Sequence, residues 1–196
     1  MLGPVVRTRR LLLRPLHEED VDALFAYRTL PDVFRLQTWK PSSRAEVLQF
    51  IAKVRANPFN TVDTWFQFAV CRLDTKEMIG DVGVHFLGPE NLDFELGFTI
   101  NPKHQKKGFA REAAVGIVDH LFTNNFKRRA IAVVEPTNNS SIVLVEKKLQ
   151  MKLRIVAKEN ANVEEDRVED LVFEIQREEW IKLKEEGKIG EPSLRT

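Results

Sequence analysis

The residues with the plainest chemistry run from Gln105 to Arg111, Gln-Lys-Lys-Gly-Phe-Ala-Arg, between a predicted strand (Asp93 to Ile100) and a predicted helix (Ala110 to Phe126). A turn at such a junction aims backbone N–H groups outward. Gly108 supplies a backbone free to adopt the tight or left-handed geometry this needs, and the helix N-terminus adds orphan donors and about half a positive charge. That combination is an anion cradle. Lys106, Lys107 and Arg111 stand around it, which favours a ligand carrying several phosphates over one carrying a single carboxylate. Glu95 lies on the strand that feeds the turn, and Asn138 and Ser141 open a short predicted helix, where both residue types are preferred caps. Glu112, in the first turn of the cradle's helix, complements the helix dipole.

These groups need a scaffold, and hydrophobic period supplies its outline. Arg10 to Arg14 reads as a short strand, Glu18 to Arg28 as a helix through Val21, Leu24, Phe25 and Arg28, and Ser43 opens a second helix with Val47, Phe50, Ile51 and Val54 on one face. Ser43 and Glu46 have the spacing of a capping box. Trp65 to Arg72, Met78 to Phe86 and Asp93 to Ile100 form a meander with Asp74-Thr75-Lys76 as its first turn. After the cradle, Ala110, Ala113, Ala114, Ile117, Val118 and Leu121 make a helical stripe. A strand from Ala130 to Val134 follows, then the short helix Ser141 to Leu149. Strands near Leu153 to Ala157 and Val168 to Gln176 close the chain, with Glu164-Glu165-Asp166 at the tip of the hairpin between them. The order β-α-α-β-β-β-α-β-α-β-β predicts one α/β (α+β) domain over 6–180, with a frayed polar tail over 181–196.

Bulk properties narrow the class. The chain has 196 residues, 43% of them hydrophobic, with 30 basic against 29 acidic side chains, enough for one well-cored domain without a general basic field. Direct nucleic-acid binding is therefore not expected. A single cysteine, Cys71, excludes an internal disulfide, and His17, His85, His104 and His120 lie too far apart for a metal motif, so no metal is expected. No run approaches the ~20 apolar residues that span a bilayer, and the N-terminus lacks an extended apolar signal region, which predicts a cytoplasmic protein without a membrane partner.

The element order, Gln105-x-x-Gly108-x-Ala110, and Asn138-x-x-Ser141 before a helix bearing Glu146-Lys147 resemble the GNAT superfamily of acetyl-coenzyme A-dependent N-acetyltransferases, over roughly Val6 to Trp180. Within it, Arg9-Arg10-Leu11-Leu12-Leu13-Arg14-Pro15-Leu16, Glu95-Leu96-Gly97-Phe98, Ala110-Arg111-Glu112-Ala113 and Arg177-Glu178-Glu179-Trp180 look most like the ribosomal-protein N-terminal acetyltransferases. Pro102-Lys103-His104-Gln105 and Gly108-Phe109-Ala110-Arg111 also resemble polyamine N-acetyltransferases. The resemblance implies a mixed central sheet of about six to seven strands with helices on both faces, splayed where acetyl-CoA binds. Backbone N–H groups of Gln105, Lys106, Lys107, Gly108, Phe109 and Ala110, with Arg111 beside them, would hold the diphosphate. The edge Phe98-Thr99-Ile100 would pair with the pantetheine amides as an added strand does. The N–H of Phe98 would face the thioester oxygen.

Glu95 matches the glutamate that relatives use to take the amine proton, Asn138 would bond the pantetheine arm, and Ser141 would place a hydroxyl near the sulfur. Three positions depart from the family. Lys106 stands where relatives most often have glycine, and Gln150 stands near another family glycine with one residue apparently inserted. Val145 replaces the tyrosine thought to protonate the thiolate. The implied acceptor is a primary amine on a protein N-terminus or a small molecule, with polyamines and antibiotics included and a homodimer left open. Two other readings compete: a non-catalytic coenzyme A-binding module, suggested by Val145 and Gln150, and a ribosome- or RNA-binding protein, suggested by Lys103 to Arg111 and Lys127-Arg128-Arg129.

Overall fold

The computed structural model describes residues 3–37, 39–154 and 170–190. Its elements are β1 (Val6–Arg7), β2 (Leu11–Pro15), α1 (Val21–Arg28), α2 (Pro31–Phe34), α3 (Arg44–Ala56), β3 (Trp65–Arg72), β4 (Met78–Leu87), β5 (Asp93–Ile100), α4 (Phe109–Asn124), β6 (Arg129–Val134), α5 (Asn139–Ile142), β7 (Lys152–Arg154), β8 (Leu171–Gln176) and α6 (Arg177–Glu185). All eight strands described join one mixed sheet in the order β1-β2-β3-β4-β5-β6-β8-β7. Neighbours are antiparallel except β5 and β6, whose parallel pairing requires a crossover, and α4 is that crossover.

Alternation along the strands fills both faces. Leu11 and Leu13 of β2 join Phe66, Phe68, Val70, Val82, Val84, Phe94 and Leu96 in the larger core, which receives the stripe Ala113, Ala114, Ile117, Val118 and Leu121 of α4. On the other face Leu16, Ala69, Cys71 and Met78 pack against Leu24 and Tyr27 of α1 and Val47, Ile51 and Val54 of α3. Burying each large aliphatic or aromatic side chain contributes about 1.5–3 kcal/mol, so both layers are held from the sheet outward.

The sequence reading differs from this fold at the ends. Two strands are very short, β1 with two residues paired to β2 and β7 with three paired to β8, and Pro31, suited to the first turn of a helix, opens the unforeseen α2. The folded body also runs past Trp180, contrary to the expected frayed tail over its first part. α6 continues to Glu185, Trp180 is 1% exposed with its indole N–H donating to Asp119 at 2.7 Å, and Ile189 is fully buried in the larger core. Residues 155–169 and 191–196 lie outside the described residues, and with them the acidic hairpin tip, parts of the two closing strands and the last residues of the tail.

The feature that creates a site is a divergence of strands. β5 and β6 pair through Asp93↔Arg129, Phe94↔Ala130 and Glu95↔Ile131, and there the pairing ends, although β5 runs on to Ile100 and β6 to Val134. β4 meanwhile stays paired with β5 as far as Gly80↔Ile100. The β6-facing edge of β5 from Leu96 to Ile100 is thus left without its sheet partner, and unpaired strand edges are templates for an added extended chain.

Candidate active site

The turn at the end of this open edge is built from its own side chains. Asn101 accepts from the N–H of Lys103 at 3.1 Å and caps a single 3-10 turn, Pro102–His104. Gln105 then spends its donors on the turn: its N–H donates to the Pro102 carbonyl at 3.3 Å and its side-chain amide to the Ile100 carbonyl at 2.9 Å. It therefore ties the turn to β5 instead of offering its N–H to a ligand. Lys107 folds back as well, its ammonium donating to the Lys103 carbonyl at 2.9 Å.

Lys106 and Gly108 both take left-handed backbone, with φ of 58° and 81°. For lysine this costs about 1–2 kcal/mol, so the family's glycine geometry is kept by a residue that pays for it. α4 begins at Phe109, and its first internal bond runs from the Glu112 N–H to the Gly108 carbonyl at 3.0 Å. The N–H groups of Phe109, Ala110 and Arg111 precede that bond and have no intrahelical acceptor. The Nε of Arg111 is buried with no hydrogen-bond partner among the described residues. Orphan donors converging on one turn fit a phosphate ligand.

Glu95 sits where β5 and β6 part. It pairs across β4 with His85, their side chains 3.7 Å apart and each 24% exposed. Burial pushes its carboxyl above the ordinary glutamate range, and the His85 imidazole pulls it partly back. A carboxyl raised in this way is a stronger base when ionised. His85 in turn stacks on the Trp65 indole, with centroids 4.8 Å apart and planes at 12°. Gly83 lets the indole lie across the sheet, since a Cβ there would come within 3.0 Å of the Trp65 ring and 2.8 Å of the Gln67 amide oxygen.

Farther along the same face, opposite Thr99, Asp81 is fully buried. Its carboxylate accepts from the Tyr27 hydroxyl at 2.5 Å, from the Arg28 guanidinium at 2.5 Å and from the Gln67 amide. Burial first and Asp81 second push the Tyr27 hydroxyl well above its usual range, so the chain's single tyrosine stays protonated. This group was not foreseen. Asp81 is separated from Tyr27 by more than fifty positions, and no local pattern joins them. Trp39 completes that flank: its indole N–H donates to Glu46 at 2.7 Å, and Glu46 also accepts from the N–H and hydroxyl of Ser42, each at 2.7 Å. The expected capping box is accordingly half made. Ser43 accepts from the Glu46 N–H at 3.2 Å, while the Glu46 carboxylate holds the Trp39 loop.

Asn138 and Ser141 stand beyond the end of β6, on the far side of the divergence. Asn138 caps α5 by accepting from the Ser141 N–H at 3.1 Å. Val145 is fully buried and offers no proton. Val143–Lys148 is a π-helical turn, closed by the Leu149 N–H on the Leu144 carbonyl at 3.0 Å. A π-turn absorbs one extra residue, which accounts for the apparent insertion. Gln150, at a family glycine, has φ of 56° and so keeps the left-handed geometry.

Comparison with known proteins decides the family. Residues 10–148 match the model of the Acetyltransferase (GNAT) domain. An N-acetyltransferase of Bacillus licheniformis named p20, itself uncharacterized, is 32% identical over 142 residues, covering 70% of this chain and 77% of the relative. The chain belongs to the GNAT acetyltransferases. It is thereby an acetyl-CoA-dependent N-acetyltransferase. Among solved structures, a putative ribosomal-protein-serine acetyltransferase from Vibrio cholerae shares the fold at a TM-score of 0.73 and 22% identity, covering 90% of this chain and 99% of that one. The ribosomal L7/L12 alpha-N-protein acetyltransferase RimL, solved with coenzyme A, does so at 0.74 and 15% identity, covering 88% and 98%.

The GNAT domain brings Glu95, the open edge Phe98-Thr99-Ile100 and the Lys106-to-Arg111 turn onto one strand and its continuation. Among the described residues no helix is long and apolar enough to cross a membrane.

Proposed function

We propose that this chain transfers the acetyl group of acetyl-CoA to a primary amine of a protein N-terminus or a small molecule, with Glu95 as the base. The observation that carries this reading is the coincidence of Glu95, its carboxyl raised by burial, with the last paired position of β5 and β6. From that point the free edge Phe98-Thr99-Ile100 leads to the anion cradle, so a ligand with a diphosphate at one end and an extended amide arm matches the surface in order. When bound, acetyl-CoA supplies the activated acyl group. The chain's own residues do the rest. The N–H groups of Lys106 to Ala110, with Arg111, hold the diphosphate, and the β5 edge orients the arm. The Phe98 N–H faces the acyl oxygen, and Asn138 lines the opposite wall with the amide nitrogen that its capping bond leaves over. Glu95 receives the proton lost by the attacking amine. Ser141 is the hydroxyl nearest in sequence to Val145, which stands where relatives carry their proton donor, and we assign protonation of the departing thiolate to it.

Resemblance in the opening Arg9-to-Leu16 and closing Arg177-to-Trp180 segments supports trying ribosomal-protein N-termini first among acceptors, with polyamines and other small amines next. The test is release of free thiol from acetyl-CoA in the presence of a panel of N-terminal peptides, polyamines and aminoglycosides. Amine-dependent release, falling at least a hundredfold in Glu95→Gln, is expected. Tight coenzyme A binding with no release on any amine would transfer the proposal to a binding module.

A further inference from the structure

The turn's N–H groups point outward only if its carbonyls point elsewhere, and one side chain from the far end of the sheet holds a carbonyl back. The carbonyl of Lys107 and the N–H of Gly108 belong to one planar trans peptide unit and so point in opposite directions. The Nη1 of Arg10 donates to the Lys107 carbonyl at 3.1 Å. Pinning that oxygen toward β2 turns the Gly108 N–H away from it, to the side where the first N–H groups of α4 converge.

Arg10 is itself fixed. Its Nε donates to Glu112 Oε2 at 2.6 Å, and its backbone N–H donates to Glu112 Oε1 at 2.7 Å. The Thr8 hydroxyl donates to Oε1 at 2.7 Å as well. Glu112 is 3% exposed, so this carboxylate is buried with its charge and hydrogen bonds both matched. The Arg10 guanidinium also lies 4.4 Å above the Phe109 ring, and a Cβ built on Gly108 would lie 3.5 Å from Arg10 Nη2.

We infer that Arg10, oriented by Thr8 and Glu112, is a positioning residue that sets the peptide planes of the diphosphate turn, so that donor selectivity for a diphosphate-bearing thioester depends on the connection between β1 and β2, a segment outside the turn. Glu112 therefore does more than complement the helix dipole. It couples the first strand pair to the cradle. The inference rests on the proposed function of the turn and adds the residue that shapes it.

The test compares wild type with Arg10→Met, which keeps the apolar cover on Phe109 and removes the donors, and with Glu112→Gln, which keeps the shape and removes the charge that fixes Arg10. Coenzyme A affinity is measured by calorimetry, and catalytic efficiency is measured with acetyl-CoA and with acetyl-pantetheine, which lacks the diphosphate; thermal melts check the fold. In Arg10→Met the dissociation constant for coenzyme A should rise about tenfold, and the ratio of kcat/KM for acetyl-CoA to that for acetyl-pantetheine should fall by a similar factor. Glu112→Gln should move the ratio in the same direction by less. Unchanged coenzyme A affinity in a folded Arg10→Met, or an equal loss with both donors, would overturn the inference while leaving the acetyltransferase reading intact. A wild-type chain that fails to bind coenzyme A would overturn both.

Discussion

The two halves of this site are made of different material. The half we assign to the cofactor, from Leu96 to Arg111, offers backbone: orphan N–H groups, two left-handed residues and an unpaired strand edge. The half around Glu95 works through side chains that meet across strands, with Trp65, His85 and Glu95 in one row and Asp81 opposite Thr99 in another, which Gln67 reaches from the neighbouring row. A backbone site tolerates many residue types as long as dihedrals hold, and Lys106, left-handed at φ 58°, fits that tolerance. A side-chain site has no such slack.

The sharpest way to test this contrast is at Glu95. Glu95→Gln should lower turnover by about 10²–10⁴-fold, the range for losing general-base help, while coenzyme A affinity changes little. The pH profile adds a sign. A base must be ionised to act, and burial raises the pKa of Glu95, so if Glu95 is the base wild-type kcat/KM should decline with falling pH earlier than an ordinary glutamate would dictate. The same shift affects stability in the opposite sense. A carboxyl whose folded pKa exceeds its unfolded value stabilises the fold below the unfolded value, and that contribution is lost as pH rises through the folded one. Glu95→Gln should therefore melt slightly higher than wild type at neutral pH, a cost of function seen directly in a thermal melt.

Next in size is Asp81→Ala. Removing this carboxylate leaves Arg28 buried without its partner, along with the Tyr27 hydroxyl and the Gln67 amide, and breaking a buried pair in this way costs about 3–5 kcal/mol. Denaturant titration should show the loss. The segment after α2 should loosen with it, because Arg28 also donates to Gln37 at 3.1 Å. Ser141→Ala comes third, with turnover down about a hundredfold, at the lower end of acid–base effects, and the coenzyme A dissociation constant nearly unchanged. Unchanged turnover in that variant would remove Ser141 from the chemistry and leave it as part of a cap.

What the chain reveals as a string follows the same division. The cradle is legible because glycine, cations and the start of a helical stripe are contiguous from Gln105 to Ala114, and the stripes Val47 to Val54 and Ala110 to Leu121 declare their faces by period alone. Glu95 is legible only through family likeness. The Trp65–His85 stack and the Asp81 group are not legible, because cross-strand neighbours ten to fifty positions apart carry no local signature, and register decides them. The α6 extension was missed for a related reason. A polar helix held by one buried Trp180 and one Ile189 reads as a tail until the core it closes is known.

The smallest effect gives the cleanest separation of backbone from side chain. Lys106→Gly removes the strain of a left-handed lysine, about 1 kcal/mol or somewhat more, but glycine also gives the unfolded chain about 0.4–1 kcal/mol of extra freedom. The two nearly cancel, so thermal stability should move little. If the turn binds through its N–H groups, coenzyme A affinity should also stay within about twofold, the lost charge being exposed and screened. Lys106→Val removes the same charge but places a β-branched residue at positive φ, a genuine outlier, and should weaken coenzyme A binding clearly more than the glycine variant. Equal losses in Lys106→Gly and Lys106→Val would mean that the ammonium, and not the geometry it tolerates, holds the phosphate, and the division between a backbone half and a side-chain half would fail at its most favourable point.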